Sequence, residues 1–154
     1  MGEDEKTERG DGTRNEDYYA FGREILAPAD ATVIEVIEGV RDNTPASMNQ
    51  YSAVGNCVII QHREDEVSVL AHFKRGNIVV KAGDKVKRGQ LLGQCGNSGN
   101  SSEPHLHYHL QNSPVLQDGL GIKCVFQTAV VTKNGKTETR VNLSPVKGEI
   151  ISPQ

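Results

Sequence analysis

The sequence predicts an all-β protein, an antiparallel β-sandwich or small barrel, and three features carry that expectation. Apolar residues fall in short runs rich in β-branched side chains. Turn-forming residues separate the runs, and no stretch shows the three-to-four-residue spacing of a long amphipathic helix. Sixteen glycines and frequent turns fit a sandwich or barrel better than alternating strands and helices.

Residues 1–17 are charged and Gly-containing with few apolar side chains, and they read as a flexible N-terminal tail or loop. Strand-like runs begin after Tyr18, with Ile25-Leu26-Ala27, Thr32 to Ile37, Cys57 to Gln61, Val67 to His72, Ile78-Val79-Val80, Gln90-Leu91-Leu92 and His105 to Leu110. Their separators are Ala27-Pro28-Ala29-Asp30, Gly83-Asp84, Arg88-Gly89 and Gly96-Asn97-Ser98-Gly99. Strand alternation sets Val58, Ile60, Leu106 and Tyr108 toward the core. Further on, Lys123 to Phe126 and Thr128 to Thr132 read as strands, and Asn134-Gly135 signals a two-residue hairpin pairing Val130–Thr132 with Thr137–Val141. Residues 18–143 are expected to form one domain including this hairpin, and residues 144–154, with two prolines, a C-terminal surface tail.

Composition narrows the function. A chain of 154 residues suits one domain, and a net charge of -3 provides no basic stripe for phosphates, so nucleic acid is not an expected partner. No apolar run approaches the roughly 20 residues of a membrane span, and Met1 to Lys6 lack the apolar segment of a signal peptide. Cys57, Cys95 and Cys124 are odd in number with no CxxC spacing, which argues against a full disulfide framework or a cysteine zinc site. Cys57 reads as a small buried hydrophobe, and a bond between two of the three stays open.

Chemistry concentrates in Pro104-His105-Leu106-His107-Tyr108-His109-Leu110. On a strand, His105, His107 and His109 share one face and Leu106, Tyr108 and Leu110 the other. Two readings of the row stand, an amphipathic strand with an exposed histidine face and a site for metal or proton transfer. Neutral imidazole is a common zinc ligand, and a zinc-bound water attacks carbonyls near neutral pH. His72 ends a strand-like run, where it is either a surface residue or a further member of the site, and His62 reads as structural or exposed.

Residues Ile25 to Leu110 resemble, in consecutive order, the lysostaphin-like zinc metallopeptidases of peptidase family M23. Leu26-Ala27-Pro28-Ala29-Asp30-Ala31-Thr32-Val33 is similar to that family's Ala-Pro-x-x-Gly-x-Val opening strand. Gly55 to His62 is similar to its Gly-Asn/Tyr-x-Val-x-Ile-x-His strand, and Leu70-Ala71-His72-Phe73 to its central histidine motif. Val80 to Gln90, Gly93 and Gly96-Asn97-Ser98-Gly99 resemble its glycine-rich hairpin and loop before the His-x-His strand.

The resemblance implies a barrel-sandwich hybrid of the duplicated hybrid motif type, Zn2+ as cofactor, bacterial peptidoglycan peptides as substrate and an extracellular or cell-envelope location. It implies that His72 and His105 are catalytic and His107 a metal ligand, with Asn97, Ser98 and Asn100 as candidate substrate contacts. His109 has no required role and reads as an exposed neighbour. One departure is large: the family's remaining ligands come from a His-x-x-x-Asp motif ahead of the Ala-Pro strand, and this sequence has no histidine before His62. Asn15 to Gly22 resembles the approach to that strand in a subgroup with an extended loop, so the motif would fall upstream of Met1 and the chain reads as truncated or as having lost its metal half-site. An all-histidine set of His72, His105 and His107 is the substitute the sequence offers.

Two function classes follow, a zinc endopeptidase domain for cell-wall peptides and a catalytically degenerate module that binds wall peptides or a partner protein without cleaving. The Gly83 to Gln90 hairpin also occurs in biotinyl and lipoyl carriers and in phosphotransferase IIA domains of similar shape. A carrier needs a Lys at a hairpin tip flanked by Met or Ala, which this sequence lacks.

Overall fold

A computed structural model describes residues 6–152, in which eleven strands and one short 3-10 turn occur. The strands are β1 (Glu24–Leu26), β2 (Ala31–Ile37), β3 (Asn56–Arg63), β4 (Glu66–Phe73), β5 (Lys85–Val86), β6 (Leu91–Gln94), β7 (His107–Gln111), β8 (Gly121–Ile122), β9 (Phe126–Lys133), β10 (Lys136–Leu143) and β11 (Ile150–Ser152). They fall into two compact units, one through Gly121 and one from Ile122.

The first unit is built on a sheet ordered β5-β2-β3-β4-β7-β8, with β1 and β6 paired as a separate two-stranded ribbon. The register pairs are antiparallel throughout. Alternation in β3 and β4 explains why the central sheet is buried on both sides. Val58, Ile60 and Leu70 pack in one cluster with Ile25, Val33, Val86 and Leu92, joining the ribbon to the sheet. Cys57, Ile59, Val67, Val69 and Ala71 form a second cluster on the other face, with Ile34, Ile37 and Leu116 against it.

The expected core positions hold for Val58, Ile60 and Tyr108 and fail for Leu106. Leu106 is 41% exposed because β7 starts one residue later, at His107. Ile78-Val79-Val80 forms no strand, its Val79 N–H donating to Leu92 O at 3.0 Å and its Ile78 N–H to Glu38 Oε1 at 3.3 Å. The N-terminal stretch also differs from a free tail over its described part. Glu8 bridges Tyr18, Arg9 N–H donates to Asp17 O at 2.8 Å, and the Asn15 amide donates to Asn43 O at 2.8 Å. These polar bonds order a segment that has no apolar surface to bury.

In the second unit β9 pairs with β10 across Asn134 and Gly135, both at positive φ, as a two-residue primed turn requires. Ala129, Val131 and Leu143 make its small core. The expected C-terminal tail instead supplies β11, which adds to the free side of β9, so the hairpin becomes a three-stranded sheet. Glu149 anchors that return by accepting from Arg140 at 2.8 Å and from the Val146 N–H at 3.0 Å.

Candidate active site

The site begins where strand alternation breaks. His72 adopts φ 66°, a left-handed conformation uncommon for a residue with a side chain, and after it Phe73 joins the cluster that already holds Leu70. The distortion is anchored on both sides: His72 N–H donates to Val54 O at 3.0 Å, and His72 O accepts from Gly96 N–H at 2.9 Å. Its ring, 4% exposed, lies 4.8 Å from that of His105 and 5.9 Å from that of His107 between centroids. Residues 33 and 35 positions apart in sequence are thus gathered because β4 and β7 are neighbours, with Ala71 opposite His107.

The loop before β7 then orients two of the rings. His72 Nδ1 lies 2.8 Å from Ser98 O, and His105 Nδ1 lies 2.8 Å from Glu103 O and 3.3 Å from Ser101 Oγ. A carbonyl oxygen only accepts, so each Nδ1 carries the proton and each Nε2 keeps its lone pair. Burial pushes the His72 imidazolium down to about 4, against a raising contribution from the Ser98 carbonyl and further lowering by His105 and His107. His107 is also held below the ordinary histidine value, first by desolvation and then by His109 and His105. Burial therefore favours the uncharged form of His72 and His107, which leaves each able to accept a proton or donate a lone pair.

Holding that loop is the task of its buried polar residues. Ser98 Oγ donates to Phe73 O at 2.8 Å and accepts the Asn56 N–H at 3.0 Å. Asn97 N–H donates to Asp42 Oδ1 at 2.7 Å, and the Asn97 amide meets the Asn15 amide at 3.0 Å. Asn43 ties down Gly99 O and Ser101 O at 2.7 and 2.9 Å. Two glycines let the backbones meet, since a β-carbon on Gly55 would overlap the Ser98 carbonyl and one on Gly99 would overlap Gly55.

These contacts correct the expectation that Asn97 and Ser98 meet substrate. Both are fully buried with their polar groups used inside the protein, so they build the loop, and of the three candidate contacts Asn100 alone is exposed. His105 precedes β7, so loop bonding rather than strand alternation fixes its ring. His109 is half-buried and bonded, with Nδ1 2.8 Å from His107 Nε2 and Nε2 3.0 Å from Gln111 Oε1. The i, i+2 spacing of His107, His109 and Gln111 was the available signal for this row. Asp42 left no such signal. His62, bonded to Asp30 O at 3.0 Å and Ser68 Oγ at 2.7 Å, is structural, and Cys57 and Cys95 are buried, with burial raising both thiols to about 12.

A catalytic zinc needs three protein ligands. Among the described residues no group of three or more His, Cys, Asp or Glu side chains is arranged to hold a metal. The residues present do not make a complete zinc site.

The antiparallel β-domain thus gathers imidazoles from a strand end and a glycine-rich loop, an arrangement able to accept or donate a proton. Residues 16–119 match Peptidase family M23, and the chain belongs to that family. The cell division protein DipM of Caulobacter vibrioides is 32% identical over 110 residues, 71% of this chain and 16% of that protein. The peptidoglycan DD-endopeptidase ShyC of Vibrio cholerae is 34% identical over 87 residues, 56% of this chain and 19% of that protein. The chain thus spans less than a third of the length of the curated relatives it matches. The catalytic domain of the prophage-encoded M23 protein EnpA from Enterococcus faecalis shares the fold, with a TM-score of 0.52 at 23% identity, covering 79% of this chain and 90% of that one.

Proposed function

We propose that this domain recognises the peptides of bacterial cell-wall peptidoglycan and carries the histidine half of a zinc endopeptidase site, working in the cell envelope or outside the cell. The observation that supports this reading is the gathering of His72 with His105 and His107, the positions whose sequence resembles the family's histidine motifs. In this reading the bare Nε2 atoms of His72 and His105 face the scissile peptide, as proton acceptor and as stabiliser of the tetrahedral intermediate. His107 is the one family zinc ligand present, and the exposed Asn100 is a candidate contact for the peptide. No helix among the described residues is long and apolar enough to cross a membrane.

A second reading, a wall-peptide binding module that does not cleave, is favoured by the incomplete ligand set. Sacculus pelleting, muropeptide release and zinc titration separate the two. The chain is expected to pellet with purified sacculi, bind zinc weakly and release few muropeptides. A fusion placing a His-x-x-x-Asp segment ahead of residue 16 should gain zinc and release. Within that fusion His105→Ala should abolish release and spare zinc, and His107→Ala should lose the metal. Strong zinc-dependent release by the unfused chain would refute the ligand assignment, and a fusion that neither pellets nor cleaves would refute the wall-peptide reading.

A further inference from the structure

We infer that Gln111, acting through His109, sets which ring nitrogen of His107 carries its proton and leaves His107 Nδ1 as the uncommitted atom. Gln111 is 2% exposed at the end of β7. Its Nε2 donates to Ser113 O at 2.7 Å and to Val115 O at 3.2 Å. Two carbonyl oxygens can only accept, so the amide cannot be turned over without losing both bonds. Gly119 lies against the same amide, where a β-carbon would overlap it.

The remaining bonds follow in order. Gln111 Oε1 faces His109 Nε2 at 3.0 Å, and an amide oxygen only accepts, so His109 Nε2 holds the proton. A neutral His109 then has a bare Nδ1, 2.8 Å from His107 Nε2. His107 Nε2 must donate, and a neutral His107 keeps its lone pair on Nδ1. The register supports the row, because His107, His109 and Gln111 stand opposite Ala71, Val69 and Val67, all buried apolar residues that offer no competing side-chain partner. Gln111 and His109 are thus positioning residues. Their bond order is independent of the proposed function, and only its consequence for a peptidase-type site rests on that reading.

Histidine-selective 15N labelling of the full chain tests this by long-range 1H–15N correlation at pH about 8, above the ordinary histidine range. His107 and His109 should both be protonated on Nε2, each with a ring N–H proton visible in water because it is hydrogen-bonded. His109→Leu should lose the His107 ring N–H signal to solvent exchange. His109→Gln should restore it, since an amide oxygen can accept from His107 while its nitrogen donates to Gln111. Gln111→Leu should erase the His109 signal and displace that of His107, which a purely structural Gln111 would not do. A His107 protonated on Nδ1 in the unaltered chain, or a His107 signal indifferent to His109→Leu, would overturn the inference. Failure to bind or cleave wall peptides with His107 protonated on Nε2 would overturn the proposed function and leave this bond order standing.

Discussion

Acidifying the protein from about pH 7.5 to about pH 4 tests the burial of His72 directly. In the unfolded chain His72 takes up a proton near 6.5, while in the folded protein its value is about 4. Above 6.5 both states hold a neutral ring, and the group contributes nothing to the pH dependence. Between 6.5 and about 4 the unfolded state binds the extra proton, so stability falls as pH falls and the loss is complete below about 4. At about 1.4 kcal/mol per pKa unit, that displacement amounts to about 3 kcal/mol. Carboxylates titrate in the same range, so the measurement is the difference between the unaltered chain and His72→Gln, each followed by urea unfolding at a series of pH values. The unaltered chain should lose about 3 kcal/mol relative to the variant across that window. A difference that stays constant with pH would refute the claim that the folded protein keeps His72 neutral by burying it.

Three further outcomes follow from the loop and the cysteines. Gly99→Ala adds a left-handed strain to a collision with Gly55, and should cost at least about 2 kcal/mol in urea unfolding, whereas Gly76→Ala, at similar φ but with open space, should cost only about 1 kcal/mol. Asp42→Ala removes the acceptor for the Asn97 and Arg75 N–H groups, and should cost about 2 kcal/mol by the same measurement, while Asp65→Ala on the β3–β4 turn should be nearly silent. With a thiol-specific chromogenic reagent, Cys124 should react in the folded protein, and Cys57 and Cys95 only after denaturation, because both are buried with raised thiols.

What the sequence made legible is what period-two alternation and turn chemistry control. Both faces of β3 and β4 follow from alternation, and the Asn134-Gly135 hairpin follows from its turn residues. The gathering of His72 with His105 and His107 was legible through the motif order, since no local pattern ties His72 to a strand 35 residues on. What escaped depends on long-range hydrogen bonding. Asn97 and Ser98 read as polar loop residues free to meet a ligand, and only the partners Asp42, Asn56 and Phe73 reveal that they are internal struts. The N-terminal segment escaped for the same reason, its order coming from bonds to the carbonyls of Asp17 and Asn43, from the Arg9 N–H and the Asn15 amide, that composition does not encode.

Strand geometry can bring three imidazoles together, but it cannot choose which nitrogen of each remains available. That choice is made by acceptors outside the alternating pattern, Ser98 O for His72, Glu103 O for His105 and the Gln111 amide, by way of His109, for His107. Two of the three acceptors are backbone carbonyls of the loop that Gly55, Gly99, Asp42 and Asn43 hold down. A substitution in that loop therefore acts on the chemistry before it moves any ring far, because an imidazole that loses its carbonyl is free to exchange the protonated nitrogen for the bare one. The conformational constraint and the chemical constraint on this site are the same set of hydrogen bonds, so loop stability and the state of the histidines should change together.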